Sequence, residues 1–269
     1  MCRLLGVVTR RAEPLGQSLA GEIPEFLELS REHADGWGTA AWTGDGMAVT
    51  RDVDAAHGSP RFAEALAATS DAALLHVRLA SPGSPVLARN THPFTAPGIA
   101  FAHNGFFEPG DALDPEIPPE LLAAAAGDTD SERYFLLLRA LLREHSPAVA
   151  ISLAASRIRE CASAFASLNC LLLTEDALFA YSEEDPESEV SRRRGPDFFR
   201  LRYHFTGDRA AIGSSGMPSA GPDWTPLPHR RVLEIRRGDL AATIHPEHPL
   251  PSAAEVPRGT PLGAASTAG

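Results

Sequence analysis

Lysine is absent from this chain of 269 residues, and all 24 of its basic side chains are arginine. Without lysine, the chain cannot form a Schiff base through its own side chain, anchor a pyridoxal-type cofactor or complete a phosphate loop ending in Gly-Lys-Ser/Thr. Cysteine is also scarce, and Cys2, Cys161 and Cys170 show neither metal-ligand spacing nor the even number of a disulfide framework. We therefore expect no cofactor, no metal site and no disulfide framework.

Positive charge and long apolar runs are scarce as well. The net charge of −11 opposes binding to nucleic acid or to an anionic membrane, since both rely on Lys and Arg to neutralise phosphates. No apolar run approaches membrane-spanning length, and the N-terminus lacks a basic region followed by an apolar core and a cleavage site. With 43% hydrophobic residues, the chain is expected to be a soluble, cytoplasmic, globular protein.

The order of the predicted elements favours helices packed on antiparallel sheets. Short strands dominate both ends of the chain, and two adjacent helices lie between them, one from Thr129 and one from Pro147 to about Arg159. The first begins with Thr129-Asp130-Ser131-Glu132, the pattern of a capping box. This order indicates an α+β architecture rather than repeated βαβ units. We predict one domain over residues 2–245 and a flexible Pro/Ala-rich tail over residues 246–269.

The segment Met1-Cys2-Arg3-Leu4-Leu5-Gly6 holds a candidate nucleophile. If Met1 is removed, which a small second residue permits, Cys2 carries a thiol and a free α-amine together. The unperturbed amine titrates about one unit above neutral pH, so it can take the thiol proton and return it to a leaving group. The alternative is an ordinary buried cysteine on a first strand, because apolar residues follow it.

Three further positions carry groups suited to an amino-acid substrate, and each has a structural alternative. Arg78 lies in an otherwise apolar strand, where its planar fork suits either a substrate carboxylate or a structural ion pair. Asn104-Gly105 is a common β-turn dipeptide, but the Asn amide and the Gly N–H also suit an oxyanion hole. Asp130 either complements a helix dipole or binds an ammonium group. With Cys2, these groups describe a pocket for an amino acid with a cleavable side-chain amide, such as glutamine or a γ-glutamyl compound.

The segments that carry these residues resemble, in the same order, those of the class II glutamine amidotransferases of the N-terminal-nucleophile hydrolase superfamily. The similarity is to the short stand-alone branch, which includes the γ-glutamyl hydrolase of the ergothioneine pathway and a glutathione-degrading amidotransferase subunit. The matching segments are Met1-Cys2-Arg3-Leu4-Leu5-Gly6, Asp35-Gly36-Trp37-Gly38, His76-Val77-Arg78, Asn90-Thr91-His92-Pro93-Phe94, His103-Asn104-Gly105 and Thr129-Asp130-Ser131-Glu132.

The resemblance implies a four-layer αββα sandwich of two antiparallel sheets. It also implies that Cys2 is the nucleophile with its own amine as base, and that Asn104 and Gly105 donate to the oxyanion. Arg78 would then hold the substrate α-carboxylate and Asp130 the α-ammonium group.

The resemblance implies supporting roles for a second group of residues. These are Ser81, where relatives often place a threonine that assists carboxylate binding, Gly36, Trp37 and Gly38, which would line the pocket, and His92 and His103, which would order its loops. Leu79 stands where many sugar-amidating relatives have a tryptophan, which argues against a sugar acceptor.

The leading hypothesis is hydrolysis of the γ-glutamyl amide of glutamine, or of a γ-glutamyl conjugate, through a thioester on Cys2. Either the protein is a hydrolase, or a separate synthase subunit receives the ammonia. The alternative is a non-catalytic or partner-dependent subunit that supplies ammonia to, or regulates, such a synthase. A metal-dependent amidohydrolase is disfavoured, because no His-x-His or His-Glu-x-x-His pair occurs.

Overall fold

The computed structural model describes residues 2–81, 83–216 and 223–248, so Met1 and most of the predicted tail lie outside the described residues. In chain order the strands are β1 (Arg3–Pro14), β2 (Trp37–Thr43), β3 (Gly46–Asp52), β4 (Thr69–Val77), β5 (Phe94–Ala96), β6 (Ile99–Glu108), β7 (Ala164–Thr174), β8 (Ala177–Ser182), β9 (Arg202–Thr206), β10 (Arg209–Gly213), β11 (Thr225–Pro226), β12 (Arg231–Arg236) and β13 (Ala242–His245). The helices are α1 (Leu15–Ser18), α2 (Ile23–Leu29), α3 (Pro60–Ala65), α4 (Pro119–Leu122), α5 (Asp130–Leu141), α6 (Pro147–Cys161) and α7 (Glu189–Arg194), and short 3₁₀ turns cover Ala88–Asn90 and Asp114–Glu116.

The strands form two antiparallel sheets. The first has the order β11-β9-β10-β1-β4-β2-β3, and the second has the order β13-β12-β8-β7-β6-β5. In the first sheet β1 lies between β10 and β4, with Leu5 opposite Gly213 on one side and Leu75 on the other. The sheets pack face to face and helices cover both outer sides, which confirms the predicted αββα sandwich.

Strand alternation separates the interior into a middle core between the sheets and two outer cores beneath the helices. In β1, Leu4 and Val8 lie in the middle core, whereas Leu5 and Val7 lie in the outer core beneath α1, α2 and α3. The sheets approach closely at Gly6, where a Cβ would lie 2.8 Å from a side-chain carbon of Leu178. The other outer core packs α5 and α6 against the second sheet.

The start of α5 follows the capping prediction in part. The Thr129 hydroxyl accepts a 3.1 Å hydrogen bond from the backbone N–H of Glu132, as a capping box requires. The Glu132 carboxylate does not complete the box, because it accepts instead from the N–H groups of Ala126 and Gly127, both at 2.8 Å. Glu132 therefore fixes the loop that leads into the helix.

The end of the described chain is held against α6. Arg159 of that helix forms an ion pair with Glu247 at 3.2 Å, and the His248 N–H donates to the Ser152 hydroxyl at 2.9 Å. The first residues of the predicted tail thus contact the domain, and residues 249–269 lie outside the described residues. Among the described helices, none is long and apolar enough to cross a membrane.

Candidate active site

Strand alternation brings Cys2, Arg78 and Asn104 to the space between the sheets. All three are buried, and each lies two or four residues along its strand direction from a member of the middle core. Those core members are Leu4, Leu74 and Ala102. Residues separated by an even number along a strand share one face. The pleat therefore aims these three side chains into the same layer, although they come from three different segments.

Cys2 is enclosed, with 8% of its surface exposed and its Sγ 3.9 Å from the carbonyl oxygen of Leu79. Burial raises the pKa of the thiol, while the positive charge of Arg78 lowers it and the negative charge of Asp130 raises it further. The thiol is therefore protonated at neutral pH and needs a base before it can attack. Arg78 and Asp130 are thus near enough to this sulfur for their charges to change its pKa, in opposite directions.

Arg78 is a buried cation whose hydrogen bonds go to neutral groups. Its Nη2 donates to the Ser84 hydroxyl at 3.1 Å and to the carbonyl oxygen of Pro85 at 3.2 Å. In the described part of the chain, the hydrogen bonds of its guanidinium include none to a carboxylate. A buried guanidinium normally requires an anionic partner. Arg78 therefore has donors available for a carboxylate ligand.

Asn104 and Gly105 lie inside β6, so the β-turn that this dipeptide also predicted is wrong. They pair with Asn169 and Leu168 of β7. Neither amide atom of the buried Asn104 side chain has a hydrogen-bond partner in the described structure. A Cβ at position 105 would lie 1.8 Å from the carbonyl oxygen of Ser167, so glycine is required there. The close strand pairing explains the glycine, and the unpaired amide is available to a ligand.

Asp130 is the first residue of α5, as predicted. Its Oδ2 accepts a 3.1 Å hydrogen bond from the N–H of Phe107, which ties the start of the helix to the end of β6. Burial raises the pKa of the Asp130 carboxyl group, and the neighbouring His103 and backbone N–H groups act in the opposite direction. The carboxylate has no ion-pair partner among the described residues, so an ammonium ligand would stabilise its charged form.

The segment from Asp35 to Gly38 supports the site mainly through its backbone. The Asp35 carboxylate accepts from the N–H of Ala80 at 2.8 Å, and Gly36 accepts from the N–H of Arg78 at 2.8 Å. Gly38 allows close approach, because a Cβ there would lie 2.1 Å from the carbonyl oxygen of His92.

Trp37 corrects the prediction that this whole segment lines the pocket. Its indole is fully buried in the outer core, where it packs edge-on against Phe62 at 5.1 Å between ring centroids. It therefore lies on the opposite side of the first sheet from Cys2.

The predicted histidines occupy two different layers. His103 bridges three elements, since its Nδ1 lies 2.9 Å from the Ser131 hydroxyl and its Nε2 3.0 Å from the carbonyl oxygen of Ser167. His92 packs 4.2 Å from the ring of His76, a buried residue that the sequence analysis did not select as a site residue. Burial lowers the pKa of both rings well below the usual histidine range, so both are neutral at pH 7.

The described residues contain no group of three or more His, Cys, Asp or Glu side chains arranged to hold a metal ion.

A cleft of about 280 Å³ is lined by Asp130 together with Ser81, Ser84, Phe106 and Phe107 among others. Ser81 is exposed at this mouth, and the hydrogen bond to Arg78 comes from Ser84 instead. Ser84 was not among the predicted site residues, because a serine in a Pro- and Gly-containing loop carries no distinctive signal. A larger cleft of about 470 Å³ lies between β2, β3 and α3 and contains none of the predicted site residues.

Residues 1–212 match the family described as class II glutamine amidotransferases. A protein of Haemophilus influenzae named "Putative glutamine amidotransferase" is 32% identical over 151 residues, which cover 53% of this chain and 48% of that protein. The match therefore spans about half the length of this curated relative.

Two solved structures share the fold. A glutamine aminotransferase class-II domain protein from Silicibacter pomeroyi has a TM-score of 0.65 at 21% identity, and the match covers 92% of this chain and all of that one. Glutamine phosphoribosylpyrophosphate amidotransferase from B. subtilis has a TM-score of 0.62 at 16% identity, covering 90% of this chain and 49% of that one. These likenesses concern the fold alone, whereas the family match covers most of the sequence. The chain belongs to the class II glutamine amidotransferase family.

Proposed function

We propose that this protein hydrolyses the γ-glutamyl amide of glutamine, or of a γ-glutamyl conjugate, through a thioester on Cys2. The observation that carries the proposal is a pair of opposite charges beside the thiol. The Cys2 thiol contacts Leu79, the neighbour of Arg78. Ser84, a hydrogen-bond partner of Arg78, lines one cleft with Asp130. Neither Arg78 nor Asp130 has an ionic partner among the described residues. An amino-acid head group supplies both missing partners, a carboxylate for Arg78 and an ammonium group for Asp130.

The proposed reaction begins after removal of Met1, when the α-amine of Cys2 takes the thiol proton. The thiolate attacks the amide carbon, and the charge that develops on the carbonyl oxygen is stabilised by the Asn104 amide and the Gly105 N–H. The amine then returns its proton to the leaving nitrogen, and ammonia or a larger amine departs. Water attacks the thioester with the same amine as base, which releases glutamate and restores the thiol.

Supporting roles follow from the contacts of the remaining residues. Ser81 would bind substrate at the mouth of the cleft, and the backbone of Gly36 and Gly38 would hold Arg78 and His92 in place. His103 would order the start of α5 through Ser131. We also propose a cytoplasmic protein whose amidotransferase domain covers residues 2–245.

The decisive experiment combines intact mass with turnover on untagged protein. We expect the mass to show loss of Met1, and 6-diazo-5-oxo-norleucine, a glutamine analogue that alkylates such thiols, to add once at Cys2. Hydrolysis of glutamine and of a panel of γ-glutamyl amines should fall at least about 10³-fold in Cys2→Ala. Cys161→Ala is the matched control, because Cys161 ends α6 away from the cleft.

Full turnover in Cys2→Ala would refute the thioester mechanism. Ligand binding by Cys2→Ala with no turnover in the wild-type chain, on any tested amide, would instead support the alternative of a binding or partner-dependent subunit. Glutamine hydrolysis that rises only with a synthase present would identify that protein as the ammonia acceptor.

A further inference from the structure

Arg3 is a buried cation next to the proposed nucleophile, and the reaction proposed above assigns it no role. Its side chain is 3% exposed, and its Nη1 donates to the carbonyl oxygen of Cys2 at 3.1 Å. The guanidinium carbon lies 4.3 Å from the centre of the Phe198 ring, while the buried Nε has no hydrogen-bond partner in the described structure. Among the described residues, Arg3 is thus held against the backbone of Cys2 without donating a neutralising hydrogen bond to a carboxylate.

Arg3 keeps its charge in this position. Burial lowers the pKa of its guanidinium to about 10, which is still well above neutral pH. Glu32 is the acid whose charge acts on Arg3, but its carboxylate forms an ion pair with Arg194 at 2.5 Å. The structure therefore places a largely uncompensated positive charge beside residue 2.

The other charged and titratable groups around the N-terminus are compensated or neutral. His33, which follows α2, is uncharged at pH 7 because burial lowers its pKa to about 4. Arg194 of α7 is paired with Glu32. Arg78 beyond β4 and Asp130 of α5 would each be paired with the substrate head group in the proposed complex. Arg3 is then the fixed charge that remains beside the amine during the reaction.

We propose that Arg3 is a positioning residue that fixes the Cys2 backbone and keeps the α-amine of Cys2 uncharged at neutral pH. A nearby cation disfavours the ammonium form of an amine, and only the uncharged amine can take the thiol proton. The hydrogen bond to the Cys2 carbonyl group holds that cation at a constant position. This inference rests on the proposed role of the Cys2 amine as the base.

The absence of lysine makes this amine directly measurable. Once Met1 is removed, the α-amine is the one aliphatic primary amine in the chain. Trace labelling with acetic anhydride from pH 5 to 10, read by mass spectrometry of the N-terminal peptide against a reference amine, gives its titration curve. The labelling is done in a Cys2→Ala background, which keeps the amine but has no thiol to accept the acyl group, and it requires no turnover.

We expect the amine to titrate below the value of about 7.7 to 8.0 that is usual for a chain terminus. Arg3→Gln, which keeps a donor but removes the charge, should raise this value by about half to one unit. Arg3→Lys should leave it within about 0.2 units of the parent, because the charge is kept, and fragment ions of the peptide separate the label on the α-amine from the label on the new lysine. The control Arg61→Gln should leave it unchanged, because Arg61 is exposed and paired with Asp52.

An amine that titrates at its usual value with Arg3 intact would overturn the inference without any Arg3 variant. The inference would also be overturned if Arg3→Gln lowered the melting temperature but left the titration of the amine unchanged, since Arg3 would then have a purely structural role. In the thiol-containing series, the acid limb of the kcat/KM profile should move with the amine. An inactive wild-type protein whose amine still titrates low would count against the proposed function and not against Arg3.

Discussion

Two asparagines face each other across β6 and β7, and their environments are opposite. Asn104 and Asn169 are partners in the strand register, and both are fully buried. The Asn169 side chain donates to the carbonyl oxygen of Phe199 and accepts from the N–H of Glu183 at 2.8 Å. The Asn104 side chain makes neither kind of bond in the described structure. Because a buried amide without partners costs free energy, we infer that Asn169 is a structural group and that Asn104 is a candidate ligand-binding group.

The buried charges show the same division. Glu183, beside Asn169, accepts from Arg159 at 2.7 Å, from the Tyr181 hydroxyl at 2.6 Å and from Arg230 at 2.8 Å. We call these four residues together with Asn169 the Glu183 network, and we call Cys2, Arg78, Asn104 and Asp130 the Cys2 cleft. Every member of the network has a protein partner, whereas the cleft keeps two opposite charges and an amide unpaired. We infer from this contrast that lack of partners, rather than burial, makes the groups of the Cys2 cleft candidates for ligand binding.

Replacing one arginine in each region, Arg78 and Arg159, should give the largest difference between the Cys2 cleft and the Glu183 network. Arg78→Met should lower kcat/KM by about 10²–10³-fold, mainly through KM, because truncating one partner of a buried charge pair costs about 2–5 kcal/mol. Arg159→Met should leave kcat/KM within about threefold but lower the free energy of unfolding by about 3 kcal/mol, because Glu183 loses an ionic partner. Steady-state kinetics and urea unfolding on both variants test this. The reverse pattern would show that Arg78 is the structural cation.

Replacing Asn104 and Asn169 in turn tests the same difference between the two regions within one pair of strands. Asn104→Ala should lower kcat by about 10²-fold with little change in KM, because an oxyanion donor acts in the transition state. Asn169→Ala should preserve kcat and reduce the free energy of unfolding by about 2 kcal/mol, since a buried N–H and a buried carbonyl lose their partner. An unchanged kcat in Asn104→Ala would remove this residue from the oxyanion site.

Asp130 should make the free energy of unfolding depend on pH. Burial raises the pKa of this carboxyl group above its value in the unfolded chain. The folded state therefore binds the proton more tightly, so the contribution of Asp130 to stability is largest at low pH and is lost as the pH rises through the folded pKa. Asp130→Asn should make the free energy of unfolding depend less on pH in this range. Compared with the wild-type protein, the variant should therefore be more stable at pH 7 than it is at pH 4.

The same substitution should lower kcat/KM by about tenfold or more, because a substrate ammonium group loses its ion pair. Urea unfolding at the two pH values, combined with kinetics at pH 7, checks both effects. A variant that loses stability at pH 7 and keeps its kcat/KM would assign Asp130 to helix capping alone.

The sequence predicted the parts of the site that depend on local pattern. The Thr129 cap lies where its motif indicated, which fixed Asp130 at the first position of α5. The period of two in β1 and β4 explains, after the fact, why Cys2 and Arg78 lie on the inner face. These outcomes depend on helix capping and on the period of two in a strand, both of which act over a few residues.

The features that sequence reasoning missed depend on contacts distant in the chain. Asn104-Gly105 has the composition of a turn, but pairing with β7, more than sixty residues away, keeps it extended. Trp37 stands in a segment shared with relatives, yet only the packing of Phe62 shows that its indole faces outward. Ser84 reaches Arg78 through a loop whose path the sequence does not specify.

The smallest predicted effect on kcat/KM is that of Thr129, a residue near the site whose hydroxyl already has a hydrogen-bond partner. Thr129 lines the cleft beside Asp130, but its hydroxyl is already bonded to the N–H of Glu132. By the rule drawn from the two regions, it should act as a structural group. Thr129→Ala should therefore lower the free energy of unfolding by about 1 kcal/mol and change kcat/KM less than about threefold. Thr129→Ser is the matched control, because it keeps the hydroxyl and should retain most of that stability in urea unfolding. A large loss of kcat/KM in Thr129→Ala, absent from Thr129→Ser, would instead add this hydroxyl to the substrate-binding groups of the Cys2 cleft.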